Sequence, residues 1–164
     1  MEILTTNSII MKPISLTLLF GSILVWVSTT AFSFLPNNPD AIVGDWKTGE
    51  GTAVVRIYKN GNKYQGKIIW LKEPNDPATG QPRVDRNHPD ESSRNRPLIG
   101  LVNLWGFNYS KENNWEDGKI YDPKNGKTYS CKIKMTNPNS LEVRGFIGVS
   151  LIGRTDMWTR QVLQ

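Results

Sequence analysis

Tyr64, Trp70, Trp105, Tyr121, Tyr129 and Trp158 each carry a polar tip on a large apolar body, and Arg144 and Arg154 carry planar forks of donors. Rings of that kind can wall a cavity in which a few polar tips orient a ligand, and guanidinium forks suit a carboxylate or phosphate head group. The same rings can equally fill a packed core, and the residue types alone leave both readings open. Arg144 lies between Glu142 and Phe146 at period-two spacing, and Arg154 shares its face with Asp156, Trp158 and Arg160. Two arginines on neighbouring strands make either a closed ionic network with Glu142 and Asp156 or a seat for an acidic ligand. Both are expected to point inward or toward a mouth. The candidate ligand-binding set is therefore Tyr64, Trp70, Tyr121, Tyr129, Arg144, Arg154 and Trp158, taking a small hydrophobic or amphipathic molecule.

Constellations for catalysis are thinner. His88 is the only histidine and sits in Asn87-His88-Pro89, with no nucleophile elbow to serve it, so it reads as a surface-loop residue. One histidine and one cysteine make a poor zinc site. Asp85-x-Asn87 with Asp90 and Glu91 resembles the start of a calcium loop, but Asp90 stands where a glycine is needed and no glutamate follows at the twelfth place. A solvated acidic turn is the plainer reading. Asp85, Asp122 and Asp156 cannot be paired across a cleft from spacing alone, and Asp122 before Pro123 suits a turn. No catalytic residue, metal ligand or cofactor is assigned. Blocks of Lys and Arg that would mark nucleic-acid binding are absent, and the net charge of +5 suits anionic surfaces without singling out a partner.

These residues need elements to hold them, and the chain supplies strands. Period-two alternation recurs through residues 42–47, 52–59, 63–71, 98–109, 115–122, 127–135, 140–146 and 153–160, and no stretch sustains a helical period. Asn60-Gly61 is a strong hairpin signal, since both residues tolerate positive φ. Cys131 falls with Tyr129, Ile133 and Met135 on the apolar face, which predicts a buried, inert thiol. Residues 73–97 form a long loop with five prolines, and Arg83, Arg86, Arg94 and Arg96 within it can order it through internal ion pairs. Eight strands joined by mostly short connections predict an all-β fold, a single antiparallel up-and-down barrel whose closure removes exposed edges. A two-sheet sandwich is the alternative.

The N-terminus reads differently. Lys12 precedes an uncharged apolar run from Ile14 to Val27, and Ala31-Phe32-Ser33 fits a cleavage site. Residues 1–33 are thus expected to be a signal peptide, translated from Met1 or Met11, followed by a short linker at 34–41 and the barrel domain at 42–160. The apolar run is shorter than the ~20 residues of a membrane span. Removing the leader takes away Lys12 and Glu2 and leaves the net charge at +5. An exported, periplasmic or extracellular protein is expected.

A series of ordered motifs carries a family resemblance. They are Gly44-Asp45-Trp46, Arg56-Ile57-Tyr58, Gly66-Lys67-Ile68-Ile69-Trp70-Leu71 and Gly118-Lys119-Ile120-Tyr121-Asp122-Pro123, followed by Asn125-Gly126-Lys127-Thr128-Tyr129, Val143-Arg144-Gly145-Phe146, Leu151-Ile152-Gly153-Arg154-Thr155 and Trp158-Thr159-Arg160. In this order they resemble the bacterial exported family known as domain of unknown function 2147, over residues 42–160. That resemblance implies export and a calycin-like, lipocalin-like barrel, and it implies no reaction. Gly44-x-Trp46 is also similar to the opening Gly-x-Trp of lipocalins, in which an arginine near the last strand packs across the indole. Arg160 matches that arginine by order, with Arg154 second. The chain departs from lipocalins in lacking a disulfide pair and a helix after the barrel. Three functions follow as expectations: a barrel that binds an amphipathic or lipid-like ligand, an envelope-associated interaction protein with a packed barrel whose Arg-rich loop meets a protein or membrane surface, and, well behind, a hydrolase.

Overall fold

The computed structural model describes residues 37–162, and the expected signal peptide, its start and its cleavage point lie outside the described residues. Eight strands follow in order: β1 Gly44–Lys47, β2 Ala53–Asn60, β3 Lys63–Leu71, β4 Val102–Tyr109, β5 Asn114–Asp122, β6 Lys127–Asn137, β7 Ser140–Phe146 and β8 Gly153–Gln161. Each pairs antiparallel with the next, and β8 returns to β1, so the sheet closes into a barrel rather than a sandwich. The β2–β3 turn sits one residue later than the Asn60-Gly61 signal places it. Gly61, at φ +61°, is its first central residue, and Asn60 pairs with Lys63.

Alternation decides what faces inward. Val55 and Ile57 on β2, Ile133 and Met135 on β6, and Leu141 and Val143 on β7 are all buried, with charged or polar neighbours between them facing out. Burying each such side chain contributes roughly 1.5–3 kcal/mol. Cys131 is among them, and burial alone pushes its thiol up to about 12. The alternation breaks on β3. Val55 pairs with Ile68 but Val54 pairs with Trp70, so Ile69 is an extra residue in a β-bulge. One extra residue inverts every later side chain. Leu71 therefore packs against the core, and Trp70, expected in the cavity wall, is 41% exposed on the outer face.

One end of the barrel is sealed. The stretch expected as a linker carries a 3-10 turn at Pro39–Ile42, begun by the Asn38 side chain accepting from the Asp40 amide, and Ile42 is buried in the core. The Trp46 indole donates to the Ile42 carbonyl (2.8 Å), and the Trp115 indole donates to the Pro39 carbonyl (3.1 Å). The Arg160 guanidinium lies 4.1 Å from the Trp46 ring centroid and donates to the carbonyls of Ala41 (2.7 Å), Val43 (3.0 Å) and Pro138 (2.8 Å). Gly44 makes this possible: at φ +140°, a Cβ there would sit 2.6 Å from an Arg160 nitrogen. The glycine, tryptophan and arginine are one device, in which a cation covers an indole while satisfying backbone carbonyls at the seal.

Tyr64 belongs to this sealed end. It meets Trp115 edge-on, with centroids 6.4 Å apart, and donates its hydroxyl to Asp40 Oδ1 at 2.5 Å. It is a core residue there and not a wall of the cavity described next. Trp105, opposite Lys119 on β5, likewise lies outside that wall.

Candidate functional site

The other half of the barrel is hollow, with a cavity of about 970 Å³. Its walls are apolar: Val55, Ile68, Leu71, Ile120, Val143 and Trp158 line it. Leu98 and Val84 close over it from the long loop, and Ile147 and Ile152, both largely exposed, form part of its rim. This volume lies at the upper end of the range in which small-molecule sites fall, ~300–1,000 Å³.

The loop over the mouth is built rather than loose. Asn75 bridges to Pro82 and Val84 to Pro97, and the Asp85 and Leu98 amides donate to the Arg96 and Arg83 carbonyls. Its arginines pair within the loop and its stem, Arg83 with Glu73, Arg86 with Asp76, Arg94 with Glu91 and Arg96 with Asp85. Asp85, read from sequence as part of a solvated turn, is completely buried. Its Oδ2 accepts from Arg96 Nε and Nη2 at 3.0 and 2.9 Å, and its Oδ1 accepts the Tyr121 hydroxyl at 2.6 Å. The loop is pinned to the barrel wall by that carboxylate. Burial first, and the bond to Asp85 second, push the Tyr121 phenol up to about 12. A second pin is Asn87, whose amide donates to the Pro123 and Lys124 carbonyls at 3.0 Å each. His88 lies half-buried in the same loop, its ring 5.7 Å from that of Tyr121.

Of the seven candidate ligand residues, four line the cavity: Tyr121, Tyr129, Arg154 and Trp158. The Trp158 indole donates to Asp156 Oδ2 at 2.7 Å, and the Tyr129 hydroxyl accepts from Asn125 at 3.0 Å. Arg154 is at the rim, where Glu50 accepts from it (3.3 Å) and also from Lys124. Those two contacts hold the Glu50 carboxyl below the usual carboxylate range, Lys124 contributing the most.

Arg144 is a correction. Cross-strand partners share a face, and Arg144 is paired with Lys132 and Thr155 while Val143 and Gly145 face the cavity. It therefore points outward. There it donates to the carbonyls of Ser150 (2.7 Å) and Leu151 (3.3 Å) and to the Thr155 hydroxyl (2.8 Å), bracing the β7–β8 connection. The signal that would have placed it was present: Leu141 and Val143 alternate with Glu142 and Arg144, and the apolar pair takes the interior. An inward arginine pair for an acidic head group does not exist.

Asn103 was not singled out from sequence. On β4 the register jumps, with Gly66 paired to Leu104 and Lys67 to Val102, which leaves Asn103 between the two pairs. It lines the cavity, is only 7% exposed, and its Oδ1 has no hydrogen-bond partner. Nothing in the residue order announces such a register shift.

Comparison with known proteins accords with this architecture. Residues 44–160 match the family model described as "Uncharacterized protein conserved in bacteria (DUF2147)". The fold is similar to the solved structure of protein HP1028 from the human pathogen Helicobacter pylori, described as belonging to the lipocalin family. The TM-score is 0.63 at 22% sequence identity, covering 73% of this chain and 82% of that one. No curated protein matches the chain.

Proposed function

The chain belongs to the DUF2147 family, and from that premise we propose that it is an exported binding protein whose barrel holds one small, largely apolar molecule. The observation that carries this reading is the cavity of about 970 Å³, walled by aliphatic and aromatic side chains and covered by a pinned loop. A barrel of eight strands that served only as a rigid body would be expected to fill its interior with side chains. The lipocalin-like fold supports binding of a small molecule over catalysis. So does the chemistry of the site, where the polar side chains of Tyr121, Tyr129 and Trp158 are engaged by protein neighbours rather than presented to a reacting group.

Export is supported by Lys12, the uncharged run to Val27 and Ala31-Phe32-Ser33. The mature protein is expected to begin within a few residues of Phe34, and N-terminal sequencing of envelope-fraction protein that recovers Met1 or Met11 defeats this part. The reading as an envelope-associated interaction protein is weaker, because the loop arginines on which it rested are turned to ion pairs of the loop itself and its stem.

The test narrows the cavity. Val143 faces it from the middle of β7 and is buried. Val143→Trp should weaken the fluorescence gain of N-phenyl-1-naphthylamine seen with the parent protein, while circular dichroism and a melting curve show the barrel intact. Undiminished probe binding by the folded variant contradicts a site inside the barrel. Native mass spectrometry of detergent-free protein, followed by extraction, then identifies a resident molecule.

A further inference from the structure

We propose that the molecule held in the barrel is an uncharged lipid-like compound bearing one hydroxyl or primary amide, and that Asn103 is the side chain that receives this group. The proposal rests on the binding reading above and deepens it. Asn103 has been forced into the cavity wall by the β3–β4 register shift, nine-tenths buried, with its Oδ1 unpartnered. A buried amide oxygen left without a donor is costly, and such groups in folded proteins call for an explanation. Ile68, Leu71 and Leu98 are among the apolar side chains that line the same cavity. The unpartnered atom is an acceptor, so it calls for a donor, which a hydroxyl or a primary amide supplies and an ester or a bare hydrocarbon lacks.

The charges of the site argue for neutrality. Arg83, Arg86, Lys124 and Arg154 all line the cavity or its mouth, and each is already paired with a carboxylate, Glu73, Asp76 or Glu50. The buried carboxylate, Asp85, is matched by Arg96 and the Tyr121 hydroxyl. Lys72 is exposed at the rim, where a solvated ammonium attracts little. An anionic head group carried to the depth of Asn103 would lose its water and meet no free cation. A neutral group with a donor meets a buried oxygen in the wall that lacks a partner.

Displacement of N-phenyl-1-naphthylamine by twelve-carbon compounds that differ only at the head reads this directly. At pH 8, 1-dodecanol and dodecanamide should displace the dye at about one-tenth the concentration that methyl dodecanoate requires, the ratio one well-placed hydrogen bond supplies. Dodecanoate should be the weakest of the four. In Asn103→Leu the alcohol and amide should lose that tenfold advantage over methyl dodecanoate, a ratio between compounds that holds whatever the variant does to the affinity for the dye. Should Asn103→Leu fail to fold, Asn103→Ser, which keeps a short polar group, gives the same comparison with a smaller loss. Tight binding of dodecanoate, or an alcohol advantage that survives in Asn103→Leu, overturns the assignment of the head group and leaves the cavity a binding site. Failure of the parent protein to bind the dye or any of the four compounds overturns the binding reading itself.

Discussion

Trp46 joins three kinds of interaction at one point: its ring is buried, its indole nitrogen donates to Ile42, and its face carries the Arg160 guanidinium. Desolvation lowers the Arg160 pKa, and three carbonyls of the sealing segments and the β6–β7 turn compensate for the water it loses. Removing the ring would leave a cavity at the sealed end and strip the cation of its cover. Trp46→Ala is expected to destabilise the protein by ~3–5 kcal/mol, the usual range for truncating a buried large aromatic. Urea unfolding followed by far-ultraviolet circular dichroism measures it, and a loss below about 1 kcal/mol would show that the seal is not held by this side chain. Asn103 is the opposite case at the same scale, a residue whose environment leaves it unsatisfied and therefore available.

The elements divide the labour. β1, β8 and the 3-10 turn at Pro39–Ile42 close one end, while the segment between β3 and β4 covers the other. That covering loop has no core of its own, so its order depends on a few pins, of which Asp85 is the buried one. Tyr121→Phe keeps the ring but removes the donor to Asp85 Oδ1, leaving the carboxylate with Arg96 alone. The expected cost is ~1–3 kcal/mol, borne by the loop rather than by the ladder of strands. Limited trypsin digestion should then cut at Arg83, Arg86 or Arg94 several-fold faster than in the parent. An unchanged cleavage rate would mean that Asn87 and the bridges at Asn75 and Val84 hold the loop without this bond.

For the molecule as a whole, alkaline pH is the condition that exposes its buried donors. Burial pushes both the Cys131 thiol and the Tyr121 phenol up to about 12, from ordinary values of 9.0 and 10.0. Groups whose pKa is higher in the folded than in the unfolded protein hold protons that the unfolded chain releases, so they oppose folding as the pH rises. Their contribution is fully present below about pH 9 and is lost as the pH climbs from there toward 12. The urea midpoint should therefore be level from pH 7 to 8.5 and fall steadily above 9. The fall should be shallower in Cys131→Ala, and a midpoint that rises over the same interval contradicts the burial of these groups.

At this scale the barrel was legible in the chain. Alternating polarity in eight short segments, with a glycine-bearing turn at residue 61, requires antiparallel neighbours, and closure follows from the cost of unpaired edges. Gly44, Trp46 and Arg160 were also legible, through their resemblance by order to the opening Gly-x-Trp and the late arginine of lipocalins, with Arg154 as the second candidate. Trp70, Arg144, Asp85 and Asn103 were not assigned correctly or at all, each for a physical reason. A bulge at Ile69 and a shift beside Asn103 change which face a side chain takes, and such irregularities are set by how neighbouring strands fit, not by composition. Asp85 became a buried pin because the folded loop delivers it to Tyr121, thirty-six positions away. The residue pattern thus determined the barrel, through local alternation, and a resemblance of ordered motifs pointed to its seal. Which groups face the cavity, which charges are already matched there and which polar atom is left over were decided only when distant strands and the covering loop met in space.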